Sequence, residues 1–236
     1  MRVVAGIFFC LFTVSSYAQF MDYSKGLEVI SFGPNPFYCP PAKTKKVNYS
    51  LSATYKQHDA DCSKFINSKG QLGPHGKEIY NHLDKIRNSQ YLKSTYPGMK
   101  NICPKWGSFS KEQKKYFWVW FFAAVAWKES TCRETEMNPN ATSGVAVGYL
   151  QLNEKKSARY WRGDDSGKSC AVTEVKSPVN NIRCGLEIFN EQLQGKFGIY
   201  EGNGQLGGKG SNSYWQDLRT ANPHTFTMVK DFPGCR

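Results

Sequence analysis

The sequence predicts a mainly helical α+β domain, assembled around one wholly apolar helix and carrying a single short β-hairpin. Three observations predict it. Residues 116–127 form a run of twelve without a charge, aromatic or aliphatic on every helical face. Residues 143–152 place two glycines around β-branched and small residues. After Ser177 and Pro178, the apolar residues Ile182, Leu186, Phe189 and Leu193 recur at spacings of four, three and four.

The first of these segments has a clear start. Ser110 followed three residues later by Gln113 has the form of a capping box, in which two of the orphan N–H groups at a helix start are satisfied reciprocally. A run that is apolar all round marks a helix buried all round, and twelve residues are too few to cross a bilayer. The run gives way to Lys128-Glu129-Ser130-Thr131-Cys132-Arg133, and Asn138-Pro139 then forces a turn, because the residue before proline avoids helical angles. Glu129 is therefore expected in the last turn of a buried helix.

The glycines at 144 and 148 point to a short, bent hairpin. Ser177 and Pro178 suit an N-cap and first helical position, and the periodic residues after them face a core. Upstream, Ile79, Leu83, Ile86 and Gln90 suggest an amphipathic helix over residues 76–91. Residues 202–210 are Gly-rich and read as a loop over a cleft. No internal repeat is present. The organisation expected is an export signal over 1–18, an extension over 19–105 packed on the main domain, and a catalytic domain over 106–236.

The signal is read from Arg2, an apolar stretch, and Ser15-Ser16-Tyr17-Ala18, with small residues at both positions that signal peptidase inspects. Cleavage near Ala18 would leave about 218 residues in a secreted or periplasmic protein, and loss of Arg2 would lower the net charge from +12 to +11. Outside the cytoplasm such a cation seeks acidic polymers rather than nucleic acid. Lys43, Lys45 and Lys46, and Lys111, Lys114 and Lys115, form basic clusters without a nucleic-acid motif and read as solvated surface. No segment reads as a basic amphipathic helix for membrane attack, and neither membrane insertion, a metal nor a cofactor is expected. Beyond the signal, Cys39, Cys62, Cys103, Cys132, Cys170, Cys184 and Cys235 make three disulfides and one odd thiol, in any of 105 arrangements. Bridges among Cys132, Cys170, Cys184 and Cys235 are expected to staple the catalytic domain.

A carboxyl group at the end of a buried helix meets the negative pole of the helix dipole and little water, and both disfavour ionisation. Glu129 thus has the placement of a general acid, for which a raised pKa is useful at neutral pH. The surrounding blocks carry the same reading further. Ala126-Trp127-Lys128-Glu129-Ser130, Asn138-Pro139-Asn140-Ala141 and Gly148-Tyr149-Leu150-Gln151 closely resemble the signature of soluble lytic transglycosylases and goose-type lysozymes. That signature is a Glu-Ser at a helix end, an Asn-Pro-x-Ala turn and a Gly-Leu-Met-Gln strand. Pro178, Asn181, Ile182 and Gly185 resemble the family's next motif. The resemblance spans roughly residues 106–219.

It implies a lysozyme-like fold with the hairpin beside an active-site cleft, acting as a monomer on peptidoglycan glycan strands at the β-1,4 bond between N-acetylmuramic acid and N-acetylglucosamine. Glu129 would be the catalytic acid, with Ser143, Gly148, Tyr149, Gln151 and Tyr200 contacting substrate. Gly148 would let the glycan approach the backbone. Goose-type lysozymes have aspartates where this chain has Thr142 and Asn153, neither of which can serve as a base. Glu154 is the alternative second carboxylate; Glu134 and Glu136 read as surface charges. Hydrolysis needs a second carboxylate, whereas a lytic transglycosylase needs one glutamate, so the anhydro product is favoured over a hydrolysing lysozyme. A non-catalytic glycan-binding protein is the third reading, disfavoured by the intact Glu-Ser. Trp118, Trp120 and Trp127 are expected in the core, and Trp161 and Trp215 as candidate sugar platforms.

Overall fold

A computed structural model describes residues 61–96, 98–141, 144–158, 168–194, 214–215, 218 and 223–235. These form a mainly α architecture with a small antiparallel sheet. In chain order the helices are α1 (Pro74–His82), α2 (Met99–Ile102), α3 (Lys111–Ser130), α4 (Glu154–Ser157), α5 (Pro178–Leu193) and α6 (Pro223–Lys230). Strands β1 (Met137–Asn138), β2 (Ala146–Val147) and β3 (Leu152–Asn153) lie between α3 and α4. The signal segment, Cys10, Cys39, Ser143, Trp161, Tyr200 and the Gly-rich stretch fall outside the described residues.

Helix α3 is the centre of the core formed by the described residues. Its start is the expected capping box: the Ser110 hydroxyl accepts from the Gln113 N–H at 3.2 Å, and the Gln113 side chain accepts from the Ser110 N–H at 2.8 Å. Every residue from 117 to 126 is at most 2% exposed. Such a helix has to be covered on all sides. α1 and α6 pack against it, α1 also packs against α5, and Ile182, Leu186, Phe189 and Leu193 of α5 are buried as their spacing predicts. Trp118 and Trp120 are core residues with their indole N–H groups satisfied, by the carbonyls of Tyr91 (2.6 Å) and Met228 (2.7 Å); Trp127 is partly buried against the same core.

Two basic side chains expected in solvent are structural. Lys115 is only 5% exposed; its ammonium lies 2.7 Å from Asp84 Oδ2 and 3.8 Å from the centre of the Tyr80 ring. Lys114 donates to the carbonyls of Leu92 and Lys93 and lies over the Trp106 ring. Their positions four and five residues into α3 place the long stems over apolar surface, where a lysine packs by its methylenes and pairs by its head. Lys115 and Lys111 together hold the Asp84 carboxyl below the usual range.

The helix expected over residues 76–91 is shorter and starts earlier, over Pro74–His82. Ile79, Leu83 and Ile86 are all buried as the periodicity requires, but beyond His82 the chain continues in turns, with Asn88 in the left-handed region at φ 54°. Leaving the helix lets Tyr91 and Tyr96 enter the core, where Tyr91 donates to the Leu186 carbonyl at 2.5 Å and Tyr96 to the Gln90 carbonyl.

The cysteine pairing differs from the expected staple. Cys170–Cys184 lies within the catalytic segment, but Cys132 pairs with Cys62 and Cys235 with Cys103. Two bridges thus tie the region before residue 106 to the helix end at Cys132 and to the chain's last turns. Pairing follows tertiary proximity, which spacing along the chain does not encode. In a chain-entropy view the 70-residue Cys62–Cys132 loop should stabilise more than the 14-residue Cys170–Cys184 loop, by about 1–1.5 kcal/mol. Replacing both cysteines of the longer loop by serine should lower Tm by roughly 5–15 °C, and by more than the same change in the shorter loop. Peptide mapping of the unreduced protein, with calorimetry of both variants, checks the pairing and the order.

Candidate active site

The last turn of α3 is built under constraint. The helix stops at Thr131 (φ 54°) and Cys132 (φ 59°), two consecutive residues in the left-handed region. Without glycine this conformation costs on the order of 1–2 kcal/mol per residue. It is held by the Cys62–Cys132 bridge and by two backbone bonds, from the Thr131 N–H to the Trp127 carbonyl (2.9 Å) and from the Cys132 N–H to the Ala126 carbonyl (3.1 Å). Glu129 sits one residue before the end, partly exposed between the buried Ala126 and the buried Ser130.

Ser130 connects this helix end to the sheet. Its single hydroxyl proton faces two carbonyl oxygens at 2.9 Å each, those of Ala126 one turn back and of Tyr149 in the β2–β3 turn. The expected hairpin is present, with Val147 paired to Leu152 and Ala146 to Asn153, and β1 adds a third strand through Met137–Val147 and Asn138–Ala146. Residues 148–151 form its turn, so Gln151 (φ 45°) is a turn residue rather than part of a strand.

That turn is bonded from several directions. Asn181 of α5, fully buried, accepts from the Leu150 N–H (3.0 Å) and donates to the carbonyls of Val147 (2.9 Å) and Val175 (3.1 Å). Trp215 donates its indole N–H to the Leu150 carbonyl at 2.9 Å. The Gln151 amide nitrogen donates to the carbonyls of Glu136 (3.2 Å) and Gly148 (3.0 Å). Gly148 is at φ +72°, and a Cβ there would lie 2.6 Å from Asn181 Nδ2. Gly185 allows the equivalent approach from α5, since its Cβ would fall 2.2 Å from Leu150 Cδ1.

These contacts change the reading of several candidates. Gly148 is buried, and its missing side chain makes room for Asn181 rather than for a glycan. Tyr149 has no exposed surface; its ring packs on Phe65 and His75, at centroid distances of 5.2 and 4.9 Å. Trp215, expected as a sugar platform, is 3% exposed and braces the turn. Gln151 is partly exposed. Asn153 caps α4, its side-chain oxygen accepting from the Lys156 N–H at 2.9 Å. β3 ends at Asn153, and Glu154 opens α4 with its carboxylate 3.0 Å from Lys176 Nζ. Glu136 pairs with Arg133 at 3.1 Å. Glu134, expected as a plain surface charge, accepts from Lys64 Nζ and from the Tyr149 hydroxyl, each at 3.1 Å. The Lys64 ammonium, more than the Tyr149 hydroxyl, holds the Glu134 carboxyl below the usual range.

The structure therefore brings together Glu129, through Ser130, and the turn of Gly148, Tyr149, Leu150 and Gln151. Asn181 and Gly185, which the sequence offered only as members of a motif, have physical tasks in that assembly. Ser130 entered the sequence reading only as the second residue of the Glu-Ser pair and Glu134 only as a surface charge, because their contacts are with distant residues, Tyr149 for both and Lys64 for Glu134.

No family model matches the sequence, and no curated protein does. Solved structures do match its fold, among them two single glutamate-to-glutamine mutants and a wild-type form of DslA (Bd0314) from Bdellovibrio. The TM-scores are 0.57 and 0.55 for the mutants and 0.54 for the wild type, all at 20% identity. The matches cover 81, 80 and 79% of this chain and 100, 99 and 98% of the other, in the same order. With the helical content and the small sheet, this likeness establishes a mainly α, lysozyme-like fold.

Removing the brace should show how far the turn depends on it. Asn181→Ala deletes three buried hydrogen bonds and strands their partners, at roughly 2–3 kcal/mol. The expected fall in Tm is about 4–12 °C, measured by thermal unfolding; an unchanged Tm would mean that the turn holds without Asn181.

Proposed function

We propose that this chain is an exported enzyme that cleaves the glycan strand of peptidoglycan at the β-1,4 bond between N-acetylmuramic acid and N-acetylglucosamine, with Glu129 as general acid and then base. One observation carries the reading: Glu129 ends a helix buried all round, and the adjacent Ser130 is bonded to the turn that holds Gly148 to Gln151. Three of the blocks that resemble the transglycosylase and goose-type lysozyme signature support this reading by their contacts: the helix end through Ser130, the turn of Gly148 to Gln151, and the start of α5 through Asn181 and Gly185. The lysozyme-like fold supports a carbohydrate substrate, and the glutamate-to-glutamine mutants of DslA are substitutions of the kind that remove a carboxyl proton donor while keeping its shape.

In the proposed route the Glu129 carboxyl gives its proton to the glycosidic oxygen as the bond to the muramyl C1 breaks. The resulting carboxylate accepts the proton of the muramyl 6-hydroxyl as that oxygen bonds to C1, closing a 1,6-anhydro ring and restoring the acid. No water, metal or cofactor enters. Hydrolysis would require a second carboxylate to hold a water or attack C1. Glu134, Glu136 and Glu154 are paired with Lys64, Arg133 and Lys176 respectively; the single-glutamate route is preferred because Thr142 and Asn153 stand where goose-type lysozymes have aspartates. Gln151, with its amide nitrogen committed to two carbonyls, would offer its oxygen to a sugar N–H or O–H. Ser143 and Tyr200 would contact the glycan from outside the described residues.

Three disulfides fit export to an oxidising compartment. Among the described residues no helix is long and apolar enough to cross a membrane. A mature charge of +11 would concentrate the enzyme, as a monomer, on the stem-peptide carboxylates of the wall.

Glu129→Gln should lower lysis of purified sacculi by at least about a hundredfold, in the range of a lost general acid. Glu154→Gln should stay within about tenfold of wild type. Wild-type turnover by a folded Glu129→Gln protein would contradict the assignment, and equal losses in both variants would indicate a two-carboxylate hydrolase.

A further inference from the structure

Tyr149 has its two ends fixed to different things. Its hydroxyl donates to Glu134 Oε2 at 3.1 Å, and its backbone carbonyl accepts from Ser130 Oγ at 2.9 Å, one residue from Glu129. Between them its ring is enclosed, edge-on, by Phe65 and His75. Glu134 is in turn tied to residues before and within α1: Lys64 Nζ lies 3.1 Å from its carboxylate and His75 Nε2 3.7 Å. Burial keeps the His75 imidazole below its ordinary pKa, so the charge facing Glu134 at neutral pH is that of Lys64. Two residues before Lys64, Cys62 is bonded to Cys132. The segment that leaves α3 after Glu129 is thus clamped to residues 62–64 at Cys132 and at Glu134.

We propose that Glu134 and Tyr149 are positioning residues for Glu129: Glu134 fixes the Tyr149 hydroxyl, Tyr149 fixes the β2–β3 turn, and the carbonyl of that turn fixes Ser130 and the orientation of the neighbouring acid. This rests on Glu129 being the acid. A carboxyl group must meet the glycosidic oxygen within hydrogen-bond reach, and small misplacements of a reacting group cost one to two decades in rate. The link works through an accepted hydrogen bond, so it needs an oxygen at position 134 rather than a charge.

The test uses soluble glycan strands as substrate, with the full mature chain and thermal unfolding to verify the fold of each variant. Tyr149→Phe keeps the ring and removes the donor; kcat should fall about tenfold with KM within about twofold, a loss of the kind made only in the transition state. Glu134→Ala should do the same. Glu134→Gln, whose amide oxygen still accepts from the hydroxyl, should stay within about threefold of wild type, and Tyr149→Phe with Glu134→Ala should be no worse than the poorer single variant, since both break one link. If Glu134→Ala does not fold, Tyr149→Phe and Glu134→Gln decide the matter. Wild-type kcat in Tyr149→Phe, an effect confined to KM, or a Glu134→Gln protein as impaired as Glu134→Ala would overturn the proposal. Glu129→Gln measured in parallel separates the two failures: if it is active the acid assignment falls, and if it is inactive while Tyr149→Phe is normal only the positioning role falls.

Discussion

A helix that is apolar on every face cannot rest on a surface; it must be enclosed, and residues 117–126 of α3 impose that requirement on the described elements around it. α1, α5 and α6, together with the aromatic residues between 91 and 109, are arranged to meet it. Trp106, Tyr91, Phe189 and Phe232 ring the helix largely edge-on, a geometry aromatic pairs favour. Enclosure on all sides leaves α3 little freedom to slide or rotate, so the position of its last turn is determined by the core. A carboxyl group placed on that turn inherits the precision of the packing.

What the core cannot fix is the direction in which the chain leaves. That is settled by polar contacts and one bridge: two left-handed residues, Cys132 bonded to Cys62, Ser130 bonded to Tyr149, and a hairpin turn whose polar groups are met by Asn181, Trp215 and Glu136. Buried polar groups are costly unless paired, and here the pairing doubles as alignment between helix α3 and the sheet. Glu154 and Asn153 show the same economy, one paired with Lys176 and the other spent as a helix cap.

Much of the fold was legible in the residues. The charge-free run and the Ser110–Gln113 pair mark α3, four apolar residues mark the buried face of α5, and paired glycines mark the hairpin, because each of these signals is local. The parts that were not legible depend on contacts distant in sequence. Residues 76–91 have helical periodicity, yet the chain leaves the helix at His82 to bring Tyr91 and Tyr96 inside. Cys132 pairs across 70 residues with Cys62. Lys114 and Lys115 look like surface until Asp84 and the rings of Tyr80 and Trp106 are placed beside them. At the candidate site, the helix-end position of Glu129 was legible from the apolar run before it, while the reason for Gly148 lay in Asn181, 33 residues on.

A single glutamate that acts first as acid and then as base leaves a chemical record that no binding protein and no hydrolase leaves. Mass spectrometry of the fragments released by the wild-type protein from purified sacculi, native and chemically deacetylated, reads that record directly. Fragments ending in 1,6-anhydro-muramyl residues are the predicted result. Fragments with reducing ends, or none from either substrate, would contradict it.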